Sequence, residues 1–452
     1  MSPLMRSVSG VRGIVGVDLT SDVVRRYARA YGVLVQGRGG RRIGLARDSR
    51  ASGPVLYAAA AEALAEVGIE VVEWGMVSTP TAQLAVEDLA LDGGIVVTAS
   101  HNPIEWNALK FVGAGGRFLT KQDAEALFRA ADGTPAPAAR TPAPRTRDAA
   151  AVRRHLDRVL SLPWLDVAAI RARAPKVALD CVRGAGATVM PALFEALGCP
   201  LRTINLEPDG AFPREPEPIP EHLGQLGAFV RETEADIGIA VDPDVDRLAI
   251  VDETGRPIGE DYTLAFAVRA VLPHLTGPLV TNLSTSLVVD DAARAFGHTV
   301  ERAPVGEANV VERMLARGAV LGGEGNGGVI LPAVHLGRDA PVAAVLALTL
   351  LAREQVSVSA IVNAAPRYAI VKDKLPRPDR ALDEVYAALR RRWPDADADV
   401  QDGLRLAWSD RWIHVRPSGT EPVVRVIAEA PTEGAAREMV DDGRRTLLTM
   451  GD

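Results

Sequence analysis

The chain has 452 residues, a length that corresponds to two to four domains of ordinary size. Hydrophobic residues make up 47% of it and charged residues 24%, a balance that excludes collagen-like, mucin-like and wholly disordered proteins. The formal net charge is −7, from 51 basic and 58 acidic residues, so the chain lacks the basic excess that nucleic-acid binding needs.

Short apolar runs alternate with helical patterns along most of the chain, and this alternation predicts α/β units with parallel or mixed sheets. The predicted strands are 43–46, 94–97, 176–179, 237–241, 279–281 and 319–321. Ser52 before Pro54, and Thr120 three residues before Asp123, are typical of helix starts, and 221–234 has a helical apolar pattern. A Pro- and Ala-rich stretch at 133–147 predicts a surface linker.

The C-terminal part of the chain has a different pattern. Helical stretches at 380–393 and 432–450 flank strand-like runs at 412–415 and 423–428, which predicts a smaller α+β domain. The longest apolar run, 342–352, is far shorter than the roughly 20 residues that span a bilayer, and it predicts a buried helix.

Cellular location is inferred from the cysteines and from the first residues. Cys181 and Cys199 fit neither a disulfide framework nor a zinc motif, which favours a reducing compartment. Residues 1–16 contain no apolar segment of the kind found in signal peptides. We therefore expect a cytoplasmic protein with neither a membrane nor a nucleic acid as a partner.

Polar clusters follow four of the predicted strands, at the edge where open α/β sheets bind ligands. They lie at 47–50, 98–103, 242–247 and 322–328. The third cluster contains Asp242, Asp244 and Asp246, which repel one another unless a cation holds them. Oxygen ligands at this density suit Mg²⁺, whereas an EF-hand is excluded because its glycine and closing glutamate are missing. The alternative is a solvated acidic turn.

The cluster at 98–103 presents a candidate nucleophile. Ser100 lies in a polar loop, but His101 is its neighbour in the chain and adjacent residues rarely face each other, so no simple dyad is expected. No nucleophile-elbow motif surrounds the serine. Lys110 could act as an acid or base if it is desolvated. Taken alone, a structural serine and a surface lysine are the simpler interpretations.

Two further segments offer anion and hydroxyl binding. The segment 416–422, Arg-Pro-Ser-Gly-Thr-Glu-Pro, combines a guanidinium, hydroxyls and a glycine, a set that suits a phosphate but also fits an ordinary turn. The glycine-rich segment 322–328 surrounds Glu324 and lacks the Lys-Ser/Thr of a Walker loop, so it is a hydroxyl-binding loop or simply a permissive one. Together, the candidate nucleophile, the three aspartates, the segment 416–422 and the carboxylate of Glu324 indicate phosphoryl transfer on a polyol phosphate.

The motifs as an ordered set resemble the α-D-phosphohexomutase family over essentially the whole chain. The matching segments are 9–13, 98–103, 242–247, 323–328 and 416–422, with support at 47–53, 78–80 and 209–213. The resemblance implies three related α/β domains with mixed sheets and a smaller C-terminal α+β domain around a central active-site cleft. We accordingly expect domains at 1–135, 150–253, 254–362 and 363–452, with a linker at 136–149.

The resemblance also implies a reaction. Ser100 would carry a phosphoryl group, and Ser100, Asp242, Asp244 and Asp246 would hold one Mg²⁺ per chain. The phosphoserine would exchange its group with a hexose monophosphate through a 1,6-bisphosphate, which also serves as activator, so that 1-phosphate and 6-phosphate interconvert. The expected partner is a small sugar phosphate, and the chain would be a monomer or a homodimer.

Roles for the other residues follow from their motif positions in the family. Lys110 would be the acid/base, and Arg12, His101 and Arg247 would support the phosphoserine and the developing charge. Glu324 and Asn326 would bind sugar hydroxyls. The phosphate that does not react would be held by Arg416, Ser418, Gly419, Thr420 and Arg425.

Four positions depart from the usual family pattern. Asn326 and Gly328 replace the Ser and His of the sugar loop, and Val245 replaces a glycine of the metal loop, which is expected to stiffen that turn. Glu307 stands where the phosphomannomutase/phosphoglucomutase branch often has His and phosphoglucosamine mutases tend to have an acid. We therefore expect glucosamine phosphate as the substrate. The alternatives are mannose or glucose phosphates, a Mg²⁺-dependent phosphatase, and a non-catalytic sugar-phosphate binding protein.

Overall fold

Four β-sheets, each with its own helices, follow one another along the described parts of the chain. The computed structural model describes residues 4–133, 141–378, 381–418 and 423–449. Three of the sheets mix parallel and antiparallel pairs, and the fourth is wholly antiparallel. The predicted fold class, three α/β domains and a smaller α+β domain, is therefore confirmed.

The first sheet carries the serine loop. Its elements are β1 (Met5–Ser7), β2 (Gly10–Ile14), α1 (Ser21–Gly37), β3 (Arg42–Arg47), α2 (Gly53–Glu66), β4 (Glu70–Met76), α3 (Thr79–Asp88), β5 (Gly93–Val97), β6 (Trp106–Gly113), α4 (Lys121–Asp132) and β7 (Arg145–Arg147). The strand order is β1-β2-β6-β5-β3-β4-β7, with β5 and β6 antiparallel and joined by the loop that holds Ser100.

Two helix starts in this domain differ in how they are capped. The Thr120 hydroxyl accepts from the backbone N–H of Asp123 at 3.2 Å and donates to its carboxylate at 2.9 Å, so the predicted cap is confirmed. Ser52 precedes α2 as predicted, but its side chain makes no capping bond. It accepts a hydrogen bond from Asn107 at 2.9 Å instead, because β6 brings this amide over the helix end.

The segment predicted as a linker contributes to the first sheet. Its described part contains β7, which pairs in parallel with β4 at the sheet edge, and Trp74 donates to Asp148 at 3.0 Å. The strand forms because β4 would otherwise present an unpaired edge, a non-local demand that a Pro-rich sequence does not reveal. Residues 136–140 of this predicted linker lie outside the described residues.

The second sheet carries the aspartate loop. Its elements are α5 (Ala151–Leu160), α6 (Val167–Arg173), β8 (Val177–Asp180), α7 (Met190–Ala196), β9 (Leu201–Ile204), α8 (Gly224–Thr233), β10 (Ile237–Val241) and β11 (Leu248–Asp252), with strand order β11-β10-β8-β9. The predicted helix 221–234 is divided, because a 3₁₀ turn at Pro220–His222 ends at Leu223 before α8 begins.

The third sheet carries the glycine-rich loop. Its elements are α9 (Asp261–Val271), β12 (Leu279–Asn282), α10 (Leu287–Arg294), β13 (Val300–Ala303), α11 (Glu307–Arg317), β14 (Leu321–Glu324), β15 (Gly328–Ile330), α12 (Ala340–Glu354) and α13 (Val358–Asn363), with strand order β13-β12-β14-β15. The strand predicted at 319–321 lies further along the chain. A Cβ at Gly323 would lie 2.3 Å from the Gly328 carbonyl oxygen, so glycine permits the tight β14–β15 hairpin that the sequence suggested was a loop.

The domains that contain the first, second and third sheets are called domains I, II and III, and domains II and III share the largest apolar core. Helix α12 is buried along almost its whole length, as predicted, and packs into a cluster that contains strand residues of both sheets. The aspartate loop and the glycine-rich loop are therefore fixed relative to each other by common packing. No helix within the described ranges is long and apolar enough to cross a membrane.

The C-terminal domain is an antiparallel sheet covered by two helices. Its elements are β16 (Ala369–Pro376), α14 (Leu382–Arg392), β17 (Asp397–Asp399), β18 (Leu404–Ala407), β19 (Trp412–Pro417), β20 (Val423–Ala430) and α15 (Glu433–Thr449), with strand order β16-β20-β19-β18-β17. Leu382, Val385 and Leu389 of α14 lie on one helix face and join this domain's apolar core.

Candidate active site

The serine loop meets the aspartate loop across the border between domains I and II. Ser100 is buried, and its Oγ donates a hydrogen bond to Asp242 Oδ2 at 2.8 Å, although 142 residues separate the two in the chain. Its backbone has φ of +50°, a left-handed conformation that costs free energy in a non-glycine residue. The Thr98 hydroxyl, which accepts from the Ser100 N–H at 3.0 Å, supports this conformation.

A buried arginine holds the serine loop from behind. Arg50 has no exposed surface, and its Nε donates to Asp48 Oδ2 at 3.1 Å. Its two terminal nitrogens donate to carbonyl oxygens of four loop residues: Ser100, Asn102, Pro103 and Trp106, at 2.6 to 3.0 Å. Sequence reasoning placed Arg50 in a polar cluster but gave it no role, because its partners are backbone atoms of a distant loop.

Arg50→Ala is expected to lower the free energy of unfolding by about 3–5 kcal/mol, because it leaves the buried Asp48 carboxylate without its cation. Urea denaturation measures the change. Arg47→Ala is the matched control: Arg47 is only half-buried and donates to the Asp48 carbonyl oxygen, so its loss should cost about 1 kcal/mol or less. Equal losses in both variants would contradict the role given to Arg50.

The three aspartates form a compact, buried carboxylate cluster. One ligand oxygen from each of Asp242, Asp244 and Asp246 lies within 4.8 Å of the others. Burial, together with the charges of Asp246 and Asp244, raises the pKa of Asp242 well above its usual value. The Oδ1 atoms of Asp244 and Asp246 are buried without a hydrogen-bond partner, an arrangement that fits a hard divalent cation such as Mg²⁺.

Val245, between two of these aspartates, is strained. Its φ is +67°, in the left-handed region that a β-branched residue adopts only under constraint. The loop closes with a hydrogen bond from the Val245 N–H to the Asp242 carbonyl oxygen at 3.1 Å. The carboxylates are thus held by a turn for which glycine would be the easier residue.

Lys110 on β6 is buried against the aspartate loop. Its Nζ lies 2.6 Å from Asp244 Oδ2 and 3.4 Å from Asp246 Oδ2. Burial lowers the pKa of the ammonium, but the charges of these two carboxylates outweigh that effect, so the pKa is raised. Thr79, which sequence analysis noted only as part of a supporting motif, donates to the same Asp244 oxygen at 2.6 Å.

His101 lies beside the nucleophile but is poorly placed to deprotonate it. Its Nδ1 is 3.4 Å from Ser100 Oγ, at the limit of a hydrogen bond. Burial, followed by the nearby charges of Arg247 and Arg12, lowers the pKa of His101 well below its usual value. The imidazole is therefore neutral at physiological pH, and its lowered pKa makes it a weak base.

The two arginines predicted to support the phosphoserine contact residues in or next to the serine loop rather than Ser100 itself. Arg12 on β2 donates to Asn102 Oδ1 at 2.5 Å, and Arg247, directly after the aspartate loop, donates to Glu217 Oε1 at 2.9 Å. Both guanidiniums lie close enough to His101 to lower its pKa, so the structure gathers positive charge at the serine loop.

Glu324, the predicted sugar-binding carboxylate, is the last residue of β14, and both of its oxygens accept hydrogen bonds. Glu324 Oε1 accepts from the Asn282 side chain at 2.8 Å and from the Gly306 N–H at 2.9 Å. Its Oε2 accepts from Arg338 at 2.9 Å and more weakly from Asn326 at 3.4 Å. Glu324 and Asn326 are thus adjacent, as their motif predicts.

Arg338 is a functional candidate that sequence analysis missed. Its guanidinium contacts three carboxylates: Asp246 Oδ2 at 2.6 Å, Glu324 Oε2 at 2.9 Å and Glu307 Oε2 at 3.0 Å. Burial raises the pKa of Glu307 to about 7, although Arg338 acts in the opposite direction. Glu307 is thus already paired with a guanidinium of this chain, and the sugar preference inferred from this residue stays a prediction.

The predicted phosphate loop is described only in part. Arg416 lies in the last two residues of β19 and donates from Nε to Asp402 Oδ2 at 2.8 Å, and Arg425 is its register partner on β20. The same Asp402 oxygen accepts from the Val305 N–H of domain III at 3.1 Å, so this cation is tied to the neighbouring domain. Ser418 follows β19, whereas Gly419 and Thr420 lie outside the described residues.

Four domain families match the chain in order. They are described as phosphoglucomutase/phosphomannomutase alpha/beta/alpha domains I, II and III and the C-terminal domain, and they match residues 4–135, 153–255, 259–368 and 370–445.

Individual relatives are similar over nearly the whole chain. A probable phosphoglucosamine mutase from Methanopyrus kandleri is 36% identical, covering 96% of this chain and 95% of its own. A phosphoglucomutase/phosphomannomutase from Thermococcus kodakarensis is 35% identical and covers 97% of each. The crystal structure of a phosphoglucomutase/phosphomannomutase family protein from Burkholderia thailandensis has a TM-score of 0.84 at 29% identity and covers 98% of both chains.

Proposed function

Since the chain belongs to the phosphoglucomutase/phosphomannomutase family of isomerases, we propose that it interconverts glucosamine 6-phosphate and glucosamine 1-phosphate through a phosphoserine at Ser100. The observation that carries the proposal is the contact between Ser100 Oγ and Asp242 Oδ2 at 2.8 Å, at the edge of the three-carboxylate cluster. A nucleophilic hydroxyl and a divalent-cation site meet at one point, as phosphoryl transfer requires.

The aspartate cluster and Ser100 would hold one Mg²⁺ per chain. Bound there, the ion would neutralise charge on the transferred phosphoryl group. The fit rests on the unpartnered buried oxygens of Asp244 and Asp246. Lys110 shares the Asp244 carboxylate, so its charge stays beside the cluster.

In the first half-reaction the bond between phosphorus and Ser100 Oγ breaks as a bond to a sugar hydroxyl forms. Lys110, whose pKa is raised, gives its proton to the departing serine oxygen and recovers one from the attacking hydroxyl. Arg12 and Arg247 stabilise the charge that develops at the serine loop, and the neutral His101 orients the group. The second half-reaction returns the other phosphate of the 1,6-bisphosphate to Ser100.

The rest of the site would bind the sugar phosphate in either orientation. Glu324 and Asn326 accept from and donate to the sugar hydroxyls. The non-reacting phosphate contacts the C-terminal domain at Arg416, Ser418, Gly419, Thr420 and Arg425. A sugar 1,6-bisphosphate would act as activator because it can load an unphosphorylated Ser100.

The choice of glucosamine follows the name of the Methanopyrus kandleri relative, whereas the name of the Thermococcus kodakarensis relative favours glucose or mannose phosphates. A coupled mutase assay with Mg²⁺ and a bisphosphate activator, run with all three sugars, separates these substrates by kcat/KM. A preference for glucosamine phosphate supports the proposal. A preference for glucose or mannose phosphate corrects the substrate, and release of inorganic phosphate without isomerisation indicates a phosphatase.

Arg416→Ala is expected to raise the KM of the 1-phosphate and of the 6-phosphate by similar factors of at least about tenfold, since one lost charge-assisted contact costs about 1.5–3 kcal/mol. Initial rates measured in both reaction directions give the two values. Arg411→Ala is the control, because Arg411 forms an exposed ion pair with Asp410 on the same domain. It should leave both KM values unchanged. An effect on one isomer alone would contradict a shared phosphate site.

A further inference from the structure

One guanidinium joins three loops of the proposed site. Arg338 contacts Asp246 of the aspartate loop, Glu324 of the sugar loop and Glu307 at the start of α11. The two closest contacts use different nitrogens: Nη2 lies 2.6 Å from Asp246 and Nη1 lies 2.9 Å from Glu324. The planar guanidinium therefore fixes the distance between the carboxylate of Asp246 in the aspartate loop and that of Glu324 in the sugar loop.

The side chain of Arg338 occupies space that residue 328 leaves empty. A Cβ built on Gly328 would lie 2.2 Å from Arg338 Cδ and 2.9 Å from its Cγ, far inside van der Waals contact. Any larger residue at 328 would displace the arginine from its three partners. Gly328 has no positive φ, so its backbone does not require glycine and the demand comes from this contact.

The backbone that follows Arg338 is hydrogen-bonded to strand β15 and to the aspartate loop. The Asp339 N–H donates to the Val329 carbonyl oxygen of β15 at 2.9 Å, and the Ala340 N–H donates to the Val245 carbonyl oxygen at 3.2 Å. Asp339 Oδ2 is itself held by His155 at 2.8 Å and His335 at 2.9 Å. The position of Arg338 relative to the aspartate loop is therefore set by main-chain hydrogen bonds as well as by the ion pairs of its guanidinium.

We propose that Arg338 is a positioning residue that couples the sugar loop (residues 323–328) to the aspartate loop (residues 242–247). Gly328 is required because it leaves room for the arginine. The inference rests on the proposed function, since it takes Glu324 to bind the substrate. Through Arg338, a shift of Glu324 as it binds a sugar hydroxyl is transmitted to Asp246. The positive charge beside Asp246 also weakens the attraction of the aspartate cluster for a divalent cation.

The test compares Arg338→Ala, Arg338→Lys, Gly328→Ala and the double variant Gly328→Ala/Arg338→Ala. For each, we would measure kcat and KM for the sugar phosphate, the melting temperature, and Mn²⁺ affinity by electron paramagnetic resonance. Arg353→Ala and Gly434→Ala are controls, because Arg353 is exposed and a Cβ at Gly434 meets nothing within 4 Å.

Arg338→Ala is expected to raise KM and lower kcat while Mn²⁺ binds about tenfold more tightly, because one cation beside the aspartates is gone. Arg338→Lys keeps the charge but not the fork, so Mn²⁺ affinity should remain within about threefold of wild type while KM still rises. A residue that only stabilises the fold would instead lower the melting temperature and Mn²⁺ affinity together.

Gly328→Ala alone should reproduce the rise in KM, and the double variant should be no worse than Arg338→Ala, because the arginine that the new methyl displaces is already absent. Effects that multiply in the double variant would overturn the link between Gly328 and Arg338. Unchanged KM and Mn²⁺ affinity in Arg338→Ala would overturn the coupling. If the wild-type protein isomerises none of the sugars, the proposed function fails. The Mn²⁺ affinities and melting temperatures of the four variants still decide the role of Arg338 at the aspartate loop.

Discussion

Ser100→Ala is expected to reduce mutase turnover by at least about a thousandfold, the order seen when a nucleophile is removed from an enzyme. The variant keeps every other group of the site but has no oxygen to carry the phosphoryl group between sugars. Its stability should change by only about 1 kcal/mol, because the hydroxyl makes one good hydrogen bond, to Asp242. The coupled mutase assay and a thermal melt measure the two quantities.

The phosphoserine itself has a direct readout. Wild-type protein incubated with a sugar 1,6-bisphosphate should gain the mass of one phosphoryl group, and Ser100→Ala should gain none. Ser161→Ala is the matched control, because this exposed hydroxyl bonds only to a backbone carbonyl at the end of α5. Phosphorylation or substantial turnover in Ser100→Ala would move the nucleophile to another residue.

Asp244→Asn is expected to raise the Mg²⁺ concentration for half-maximal rate at least about tenfold and to lower kcat about a hundredfold. The amide keeps the size of the side chain and can still accept from Thr79 and Lys110, but it removes one of the three buried charges that would bind the ion. The replacement also leaves Lys110 with one carboxylate partner fewer, which lowers the pKa of its ammonium.

Two titrations measure the effect: initial rate against Mg²⁺, and Mn²⁺ binding without substrate. Asp157→Asn, an exposed carboxylate on α5, should match the wild type in both. Unchanged Mn²⁺ binding in Asp244→Asn would exclude the aspartate loop as the metal site, even if the rate falls.

The sequence allowed those parts of the site that are local in the chain to be predicted. Asp242, Asp244 and Asp246 lie within five residues and follow a buried strand, so their proximity could be read directly. Strand-end placement also predicted that Ser100 and the aspartates belong to ligand-binding loops. It could not predict their contact, because the serine follows β5 of the first sheet and the aspartates follow β10 of the second.

The parts that escaped prediction depend on contacts between distant segments. Arg338 meets Asp246 across 92 residues and belongs to no motif, and Arg50 binds backbone carbonyls that its own sequence does not specify. The need for glycine at position 328 is steric, and it can be recognised only once the position of Arg338 is known. Strand β7 could not be predicted for the same reason, because it forms by pairing with the otherwise unpaired edge of strand β4, which lies in a distant segment.

The shared core of domains II and III has a consequence for how the protein is synthesised. On the ribosome, the aspartate loop emerges before Arg338 and before helix α12, which packs against the apolar residues of domain II. A nascent chain that ends after β11 thus has three carboxylates lacking one cation and a core that is uncovered on one side. Domains generally fold in order from the N-terminus, but here the second domain buries its whole apolar core only together with the third.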